Sequence, residues 1–465
     1  MSCCTAALLL CGAAAAHAEA ADPPSDAAAA PAASEASETL ADARDPAEVA
    51  EMGEAAHAPR KVAAAKTPEP SGAPAAAKEP GEKAETSKAA DEPAEDAPAA
   101  NSPPAHFSMV YRGDVQDVAA GGAQRGARYV DNVIVTGDFD LDRLVGLKGV
   151  TAHIDVMHNL GGIPTDLAGS VLGVNGDEQS LHRLRLAQAW VQDSFAGGKA
   201  SVLVGFYDVS SEFDVTDSSG LLMGTSFGTS SEFDASGPAG PSGFPSTSFG
   251  VRLRLQPKET EYAEVVVANA HAAALGDPGG PDFTFSDGLL LAGEIGYTGW
   301  GKVALGAWRY SKPQPGVRVS LDGDPQGTHV SQGVYGLFEH AVNAPKDGVR
   351  KVTVFAKVGI SDGRTTAFHG SWQAGVLVYQ VFKSRPDSQF SAGVSQGRLS
   401  QGFRDNGRDG GLDVGPTETA FEVTYSDKLT PHLAIQPDLQ WIHRPSGDAG
   451  VKDALVLGLR MTVSF

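Results

Sequence analysis

Charged side chains stand at every second position in several apolar segments of this chain, a spacing that puts them on one face of an extended strand. Arg183, Arg185, Arg252, Arg254, Lys357 and Arg460 are the donors, and Glu264, Glu294, Glu418, Glu422 and Asp438 are the acceptors. Both signs share one face. Closely spaced charged donors and acceptors can exchange hydrogen bonds with a polyhydroxylated solute as its hydration shell is stripped, whereas ion selectivity favours a single sign. A long connection, residues 210–246, adds the carboxylates Glu212, Asp214, Asp217, Glu232 and Asp234, interleaved with Phe213, Phe227, Phe233 and Phe244. Facing Arg183, Arg185, Arg252 and Arg254, these carboxylates would form a narrow polar passage. The Phe rings would anchor the connection to a wall.

The residue patterns of catalysis are weaker. His153 and His158 lie five apart in an extended segment, so they point to opposite faces and cannot share a metal. Neither a His-Glu-x-x-His helix nor a Gly-x-Ser-x-Gly elbow is read in the chain. The stretch from Asp405 through Asp409 to Asp413 has the carboxylates and glycines of a calcium loop, but Arg408 opposes a cation and Gly407 replaces a ligand. It reads better as a solvated outer loop. No metal or cofactor is expected.

The elements that must position these side chains are short alternating segments separated by Gly, Pro, Asp and Asn, and sixteen of them follow His106. Their approximate cores begin with 107–113 and 128–141 and end with 432–443 and 454–465. The connections sort into two kinds. Brief ones, such as 196–198, 257–259, 299–301 and 344–348, alternate with long ones, such as 161–180, 210–246, 271–288, 313–328 and 400–416. Tight turns at one end and long loops at the other are what a transmembrane barrel has, and a soluble sandwich has no reason to sort them so. In the last segment Leu455, Leu457, Leu459, Met461, Val463 and Phe465 share one face, opposite Val456, Gly458, Arg460, Thr462 and Ser464. In the sixth, Phe249, Val251, Leu253 and Leu255 alternate with Arg252 and Arg254. One face would meet lipid and the other water. The aromatics Trp190, Trp300, Trp372, Trp441 and Tyr425 fit interfacial girdles better than stacking platforms for a solute.

The chain is therefore expected to be all-β, a transmembrane antiparallel β-barrel of about sixteen strands over residues 106–465, preceded by a disordered Ala/Pro-rich segment. Cys3, Cys4 and Cys11 are its three cysteines, and all precede the small-residue site Ala16-His17-Ala18. Residues 1–18 read as an export signal, which leaves a thiol-free chain suited to an oxidising compartment. Residues 19–105 carry Ala, Pro, Glu and Lys without an aromatic or an apolar stripe, so they read as an extended periplasmic tether. A formal net charge of -21 opposes nucleic-acid binding.

Several stretches in order resemble the carbohydrate-selective porins typified by the OprB glucose porin. They are Val204-Gly205-Phe206-Tyr207-Asp208, Glu212-Phe213-Asp214, Ser226-Phe227-Gly228 and Ser248-Phe249-Gly250-Val251-Arg252, and, near the end, Gln436-Pro437-Asp438-Leu439-Gln440-Trp441. The resemblance implies an outer-membrane channel of sixteen strands for passive uptake of monosaccharides, narrowed by an inward-folded loop and by charged wall residues. Arg183, Arg185, Arg252, Arg254, Glu212, Asp214, Glu294, Glu422 and Arg460 are the expected substrate pathway. Carbohydrate solutes and outer-membrane lipids are the expected partners, with peptidoglycan reached through the tether and a homo-oligomer as further ones. A general diffusion porin is the alternative, ahead of an outer-membrane enzyme or an adhesin.

Overall fold

The computed structural model describes residues 103–180, 182–343 and 350–465. The expected export signal, the tether up to residue 102 and the turn at 344–348 lie outside the described residues.

Sixteen strands follow one another in chain order. The first eight are β1 (Ala105–Gly122), β2 (Gly126–Asp140), β3 (Val150–Gly161), β4 (Leu184–Phe195), β5 (Ala200–Tyr207), β6 (Ser248–Lys258), β7 (Glu261–Asn269) and β8 (Leu289–Tyr297). The second eight are β9 (Lys302–Pro315), β10 (Thr328–Ala341), β11 (Val352–Ser361), β12 (Phe368–Tyr379), β13 (Gln389–Leu399), β14 (Thr417–Thr430), β15 (Leu433–His443) and β16 (Lys452–Ser464). Each pairs antiparallel with its neighbours in sequence, and β1 pairs with β16 to close the barrel. Closure leaves no edge whose N–H and C=O groups would face hydrocarbon unpaired. At the seam the register runs from Val110 opposite Ser464 to Gly122 opposite Lys452, and Phe465 exchanges backbone hydrogen bonds of 2.9 and 3.1 Å with Met109.

The first strand is much longer than the expected core at 107–113. Asp114, Gln116 and the pair Gly121-Gly122 read as strand breakers in isolation, but β1 is laddered on both sides, to β2 and to β16. Two ladders outweigh local propensity. The second strand stops at Asp140, where the Asp140 carboxylate accepts from the Arg143 amide and caps a one-turn helix, α1 (Leu141–Val145).

The alternation places the faces as the sequence implied. On β16, Leu457 and Leu459 are exposed on the outer wall while Val456 and Arg460 are buried inside. On β6, Val251 and Leu255 face out and Arg252 faces in. The two ends of the barrel and most short turns share one rim, and the long loops, with the short turn between β1 and β2, share the other. Aromatic pairs mark the short-turn rim: Phe107 with Phe139, Trp300 with Phe338, and Phe382 with Tyr425, at centroid distances of 5.6, 5.9 and 6.1 Å.

The apolar core is inside the barrel, where two long loops meet the wall. One cluster joins Phe213 and Phe233 to Tyr262, Leu290, Trp308 and Tyr335, and a second joins Leu167, Leu172 and Val174 to Val118, Phe368 and Ile442. Replacing Leu457 by Arg puts a charge in lipid and should lower barrel stability by about 2–4 kcal/mol if the site is near the midplane, whereas Thr462→Arg faces the lumen and should cost far less. Denaturant titration of the reconstituted barrel would separate them, and equal losses would contradict the assigned faces.

Candidate functional site

The connection between β5 and β6 folds into the barrel and runs along the inner wall. Three of its Phe rings, Phe213, Phe227 and Phe233, are fully buried, and Phe244 is half-buried. Phe233 lies in α2 (Ser231–Asp234), a single turn that stacks this ring on Trp308 at 5.2 Å and 15°. The wall makes room with glycine. A Cβ on Gly359 would lie 1.6 Å from Glu232 Oε1, and one on Gly393 would lie 2.6 Å from the Phe227 ring.

Polar wall residues then satisfy the loop's backbone, which has no ladder of its own. Glu294 accepts from the Asp214 amide at 3.0 Å and from the hydroxyls of Tyr262 and Tyr335 at 2.5 and 2.7 Å. Lys357 donates to the carbonyls of Asp214 and Gly228, and its ammonium is 3.4 Å from the Asp214 carboxylate. Glu422 accepts from the amides of Met223 and Gly224. Glu294, Asp214 and Glu422 thus point inward as expected, but each is engaged in holding the loop.

A second loop, described over residues 162–180, was not singled out by its sequence and does the same on the opposite side. Glu418 accepts from the amides of Val171 and Leu172 at 2.9 and 3.2 Å, and Gln440 donates to the Val174 carbonyl at 2.8 Å. The two loops touch where the Gly176 amide donates to the Met223 carbonyl at 2.9 Å. Together they narrow the lumen from opposite sides.

Around the narrowing Arg252, Arg254 and Arg460 each have their own partners. Arg252 is fully buried, with Nε and Nη2 each 2.8 Å from a Glu212 oxygen, Nη1 2.7 Å from Ser201 and Nη2 2.8 Å from Gln192. Glu212 also accepts from Tyr207 and stays partly exposed to the lumen. Arg254 donates to Glu264 at 2.7 Å and lies 4.8 Å from the Tyr262 ring. Arg460 forms a fork on Asp114 at 2.8 and 2.7 Å and reaches Asp177 at 2.6 Å, and Asp177 accepts from Arg112 at 3.1 Å. Asp114, Asp177 and Arg112 were missed, because Asp114 read as a strand end and Asp177 as part of a loop.

The expected pairing of the loop carboxylates with all four arginines is therefore corrected. Only Glu212 meets one of them, Arg252. Arg185 turns to Asp277 at 2.6 Å and Asn159 at 2.9 Å, and Arg183 donates to the Gly276 carbonyl at 3.1 Å, so both hold the loop between β7 and β8. Both sit at or just before the start of β4, whereas the β4 residue that meets the Arg252–Glu212 pair is Gln192, near its other end. Asp217 and Asp234 are exposed, and Glu232 accepts from Ser371 at 2.6 Å.

Of the aromatics read as girdle, Trp190 faces the lumen instead and stacks on His153 at 4.9 Å and 13°. His153 itself sits between Asp138 at 2.7 Å and Asp155 at 3.0 Å. A shift of register between β3 and β4 at Asp155 turns the Trp190 face inward. The Gly-x-Ser-x-Gly spacing does occur, at residues 224–228 and 393–397, but neither is a strand-to-helix elbow. The two serines, Ser226 and Ser395, hydrogen bond to one another at 2.6 Å and tie the loop to β13. The stretch read as a solvated acidic loop begins in a helix, α3 (Gln401–Asp409), whose Asp405 and Asp409 pair with Arg408 and Arg318.

Burial pushes the Glu232 carboxyl up to about 7, against the hydrogen bond from Ser371 and with Asp214 adding to the rise. A carboxyl raised above its ordinary 4.5 favours the folded state below that value, and this contribution fades as pH rises through about 7. Stability should therefore fall between pH 5 and pH 8, and Glu232→Gln should flatten that slope; superimposable wild-type and variant pH profiles in denaturant would refute it. Gly393→Val should displace Phe227 and loosen the loop, which would appear as a larger and noisier single-channel conductance.

The sequence matches the family described as carbohydrate-selective porin, OprB family, over residues 124–465. Porin B of Pseudomonas aeruginosa is 22% identical over 401 residues, which cover 77% of this chain and 87% of the relative. A putative porin, QuiX, of Acinetobacter baylyi is 23% identical over 363 residues, covering 70% and 81%. The solved high-pH structure of Pseudomonas putida OprB is 20% identical and superposes with a TM-score of 0.69, covering 78% of this chain and 94% of that one. Matched over residues 124–465 and folded as a closed sixteen-stranded barrel with a narrowed polar lumen, the chain belongs to the OprB family of carbohydrate-selective outer-membrane porins.

Proposed function

We propose that this porin conducts small neutral sugars of the glucose class by passive diffusion, selected where the loops narrow the lumen. The observation that carries the reading is the Arg252–Glu212 fork, locked by Ser201, Gln192 and Tyr207 and presenting the Glu212 carboxylate to the passage. A sugar hydroxyl both donates and accepts, so it can bond to Glu212 and to a nearby guanidinium in turn. Arg254 with Glu264 and Arg460 with Asp114 continue the alternation of charge to either side. A solute that exchanges bonds along this track keeps its polar groups satisfied without its full water shell.

The reading assigns no catalytic step. Residues 1–18 serve export, residues 19–105 serve as a periplasmic tether within reach of peptidoglycan, and the apolar outer wall contacts lipid. Whether the barrel works as one copy or as a homo-oligomer does not alter the passage.

The test is single-channel recording in planar bilayers during titration with glucose, with sucrose and a small organic anion as controls. Glucose should block in a concentration-dependent way. Losing a charge-assisted hydrogen bond costs about 1.5–3 kcal/mol, so Arg252→Ala should weaken that block by roughly ten- to a hundredfold. Channels indifferent to every sugar would make the protein a general diffusion porin, and unchanged block in the variant would remove Arg252 from the site.

A further inference from the structure

At the long-loop rim, away from the narrowing, a cavity of about 420 Å³ opens between three segments. These are the turn after β9, the turn after β11 and the start of α3. The volume is within the usual range for small-ligand sites. Its wall includes Arg318, Arg364 and Arg404, with His329 and His369, and a single carboxylate, Asp362. It shares no lining residue with the Arg252–Glu212 site. On a chain with a formal net charge of -21, three guanidiniums converging on one cavity are a local exception.

The arginines are not equally engaged. Arg318 is held by Asn406 at 2.8 Å and by Asp409, both on α3. Arg364 and Arg404 form no ion pair with any other described residue, and Arg404 Nε is buried with no hydrogen-bond partner among them. Buried polar atoms are rarely left so. Asp362 is occupied as a turn residue, accepting from the Arg364 amide at 3.0 Å.

The three segments are also fixed to one another. The Val317 amide donates to the Arg364 carbonyl at 2.8 Å, the Ser400 amide donates to the Ala367 carbonyl at 2.7 Å, and Asn406 donates to the Val317 carbonyl at 2.8 Å. A ligand would find the cavity already formed and would not have to order it. Gln401 and Gly402, the first residues of the nine-residue helix α3, line the same space. The positive end of the helix dipole thus adds to the two uncommitted guanidiniums.

We propose that this cavity is a binding site for a phosphate monoester. A dianion with three acceptor oxygens matches two planar guanidiniums better than a neutral sugar does. The phosphate can belong to a free sugar phosphate or to the phosphorylated glycolipid of the outer leaflet. Both reach this rim.

The experiment uses the full barrel in detergent, with the glucose titration of the bilayer assay run beside it. Glucose 6-phosphate, inorganic phosphate, and lipopolysaccharide with and without its phosphates are the probes, read by isothermal titration. Saturable binding of a phosphate-bearing probe is expected, weakened at least tenfold by Arg364→Ala with Arg404→Gln. Glucose block should be unchanged in that variant, which separates failure here from failure of the sugar-channel reading. Competition between glucose 6-phosphate and inorganic phosphate would identify a free solute as the ligand; binding of phosphorylated lipopolysaccharide alone would identify the lipid headgroup. The exposed Arg364→Gln variant alone should still weaken binding severalfold while the barrel keeps its heat-modifiable mobility. No saturable binding of any phosphate-bearing probe to the wild type, or binding indifferent to these substitutions, would overturn the proposal.

Discussion

Hydrocarbon offers no hydrogen-bond partners, so a chain that crosses it in strands must pair every backbone N–H and C=O with another strand. The seam between β1 and β16 is where this protein meets that demand. Without it fourteen interior strands would still have partners, but two edges would lie open in lipid. Closure in turn defines an inside and an outside, and the period of two along each strand sorts side chains between them. Most exposed apolar residues lie on the outer wall. The inside combines Gly, Ser, Gln and charge with the aromatic and aliphatic patches that receive the loops.

That polar interior explains why the long loops can fold inward. A loop packed inside a barrel carries backbone groups that no ladder satisfies, and an apolar wall would leave them unpaired. Here Glu294, Lys357, Gln373 and Glu422 supply the missing partners from four strands, while Gly359 and Gly393 give the loop space. Phe213, Phe227 and Phe233 bury their rings where the wall offers Trp308, Tyr335 and Phe355. The loop is held by its backbone, by its aromatics and by the carboxylates of Asp214 and Glu232, while Glu212 pairs with Arg252.

The narrowing is built by two loops folded into the lumen, and the charges around it form pairs. Arg252 with Glu212, Arg254 with Glu264, and Arg460 with Asp114 and Asp177 each neutralise locally. Pairing fixes the side chains and removes the strong field that would trap one sign of ion. It leaves directional donors and acceptors, which suit a neutral polyol. The basic cavity at the rim follows a different rule, since two of its guanidiniums have no carboxylate to answer them among the described residues.

How much could be read from residues alone follows from range. Alternation, turn residues and loop length are local, so the all-β class, sixteen strands, the two rims and the inward side of Arg252, Glu294, Glu422 and Arg460 were legible. The extent of β1 was not, because Asp114 and Gly121-Gly122 hold strand geometry only with a ladder on each side. Partner choice is longer in range still: Arg185 meets Asp277 and Glu418 meets Val171, contacts across 92 and 247 residues. Nor could local pattern show Trp190 turning inward, since that depends on a one-residue slip between β3 and β4. The sequence by itself determined which face of most strands meets water. Only the closed barrel decided which loop enters it and which charges meet there, because those distances exist only once sixteen strands have fixed the circumference.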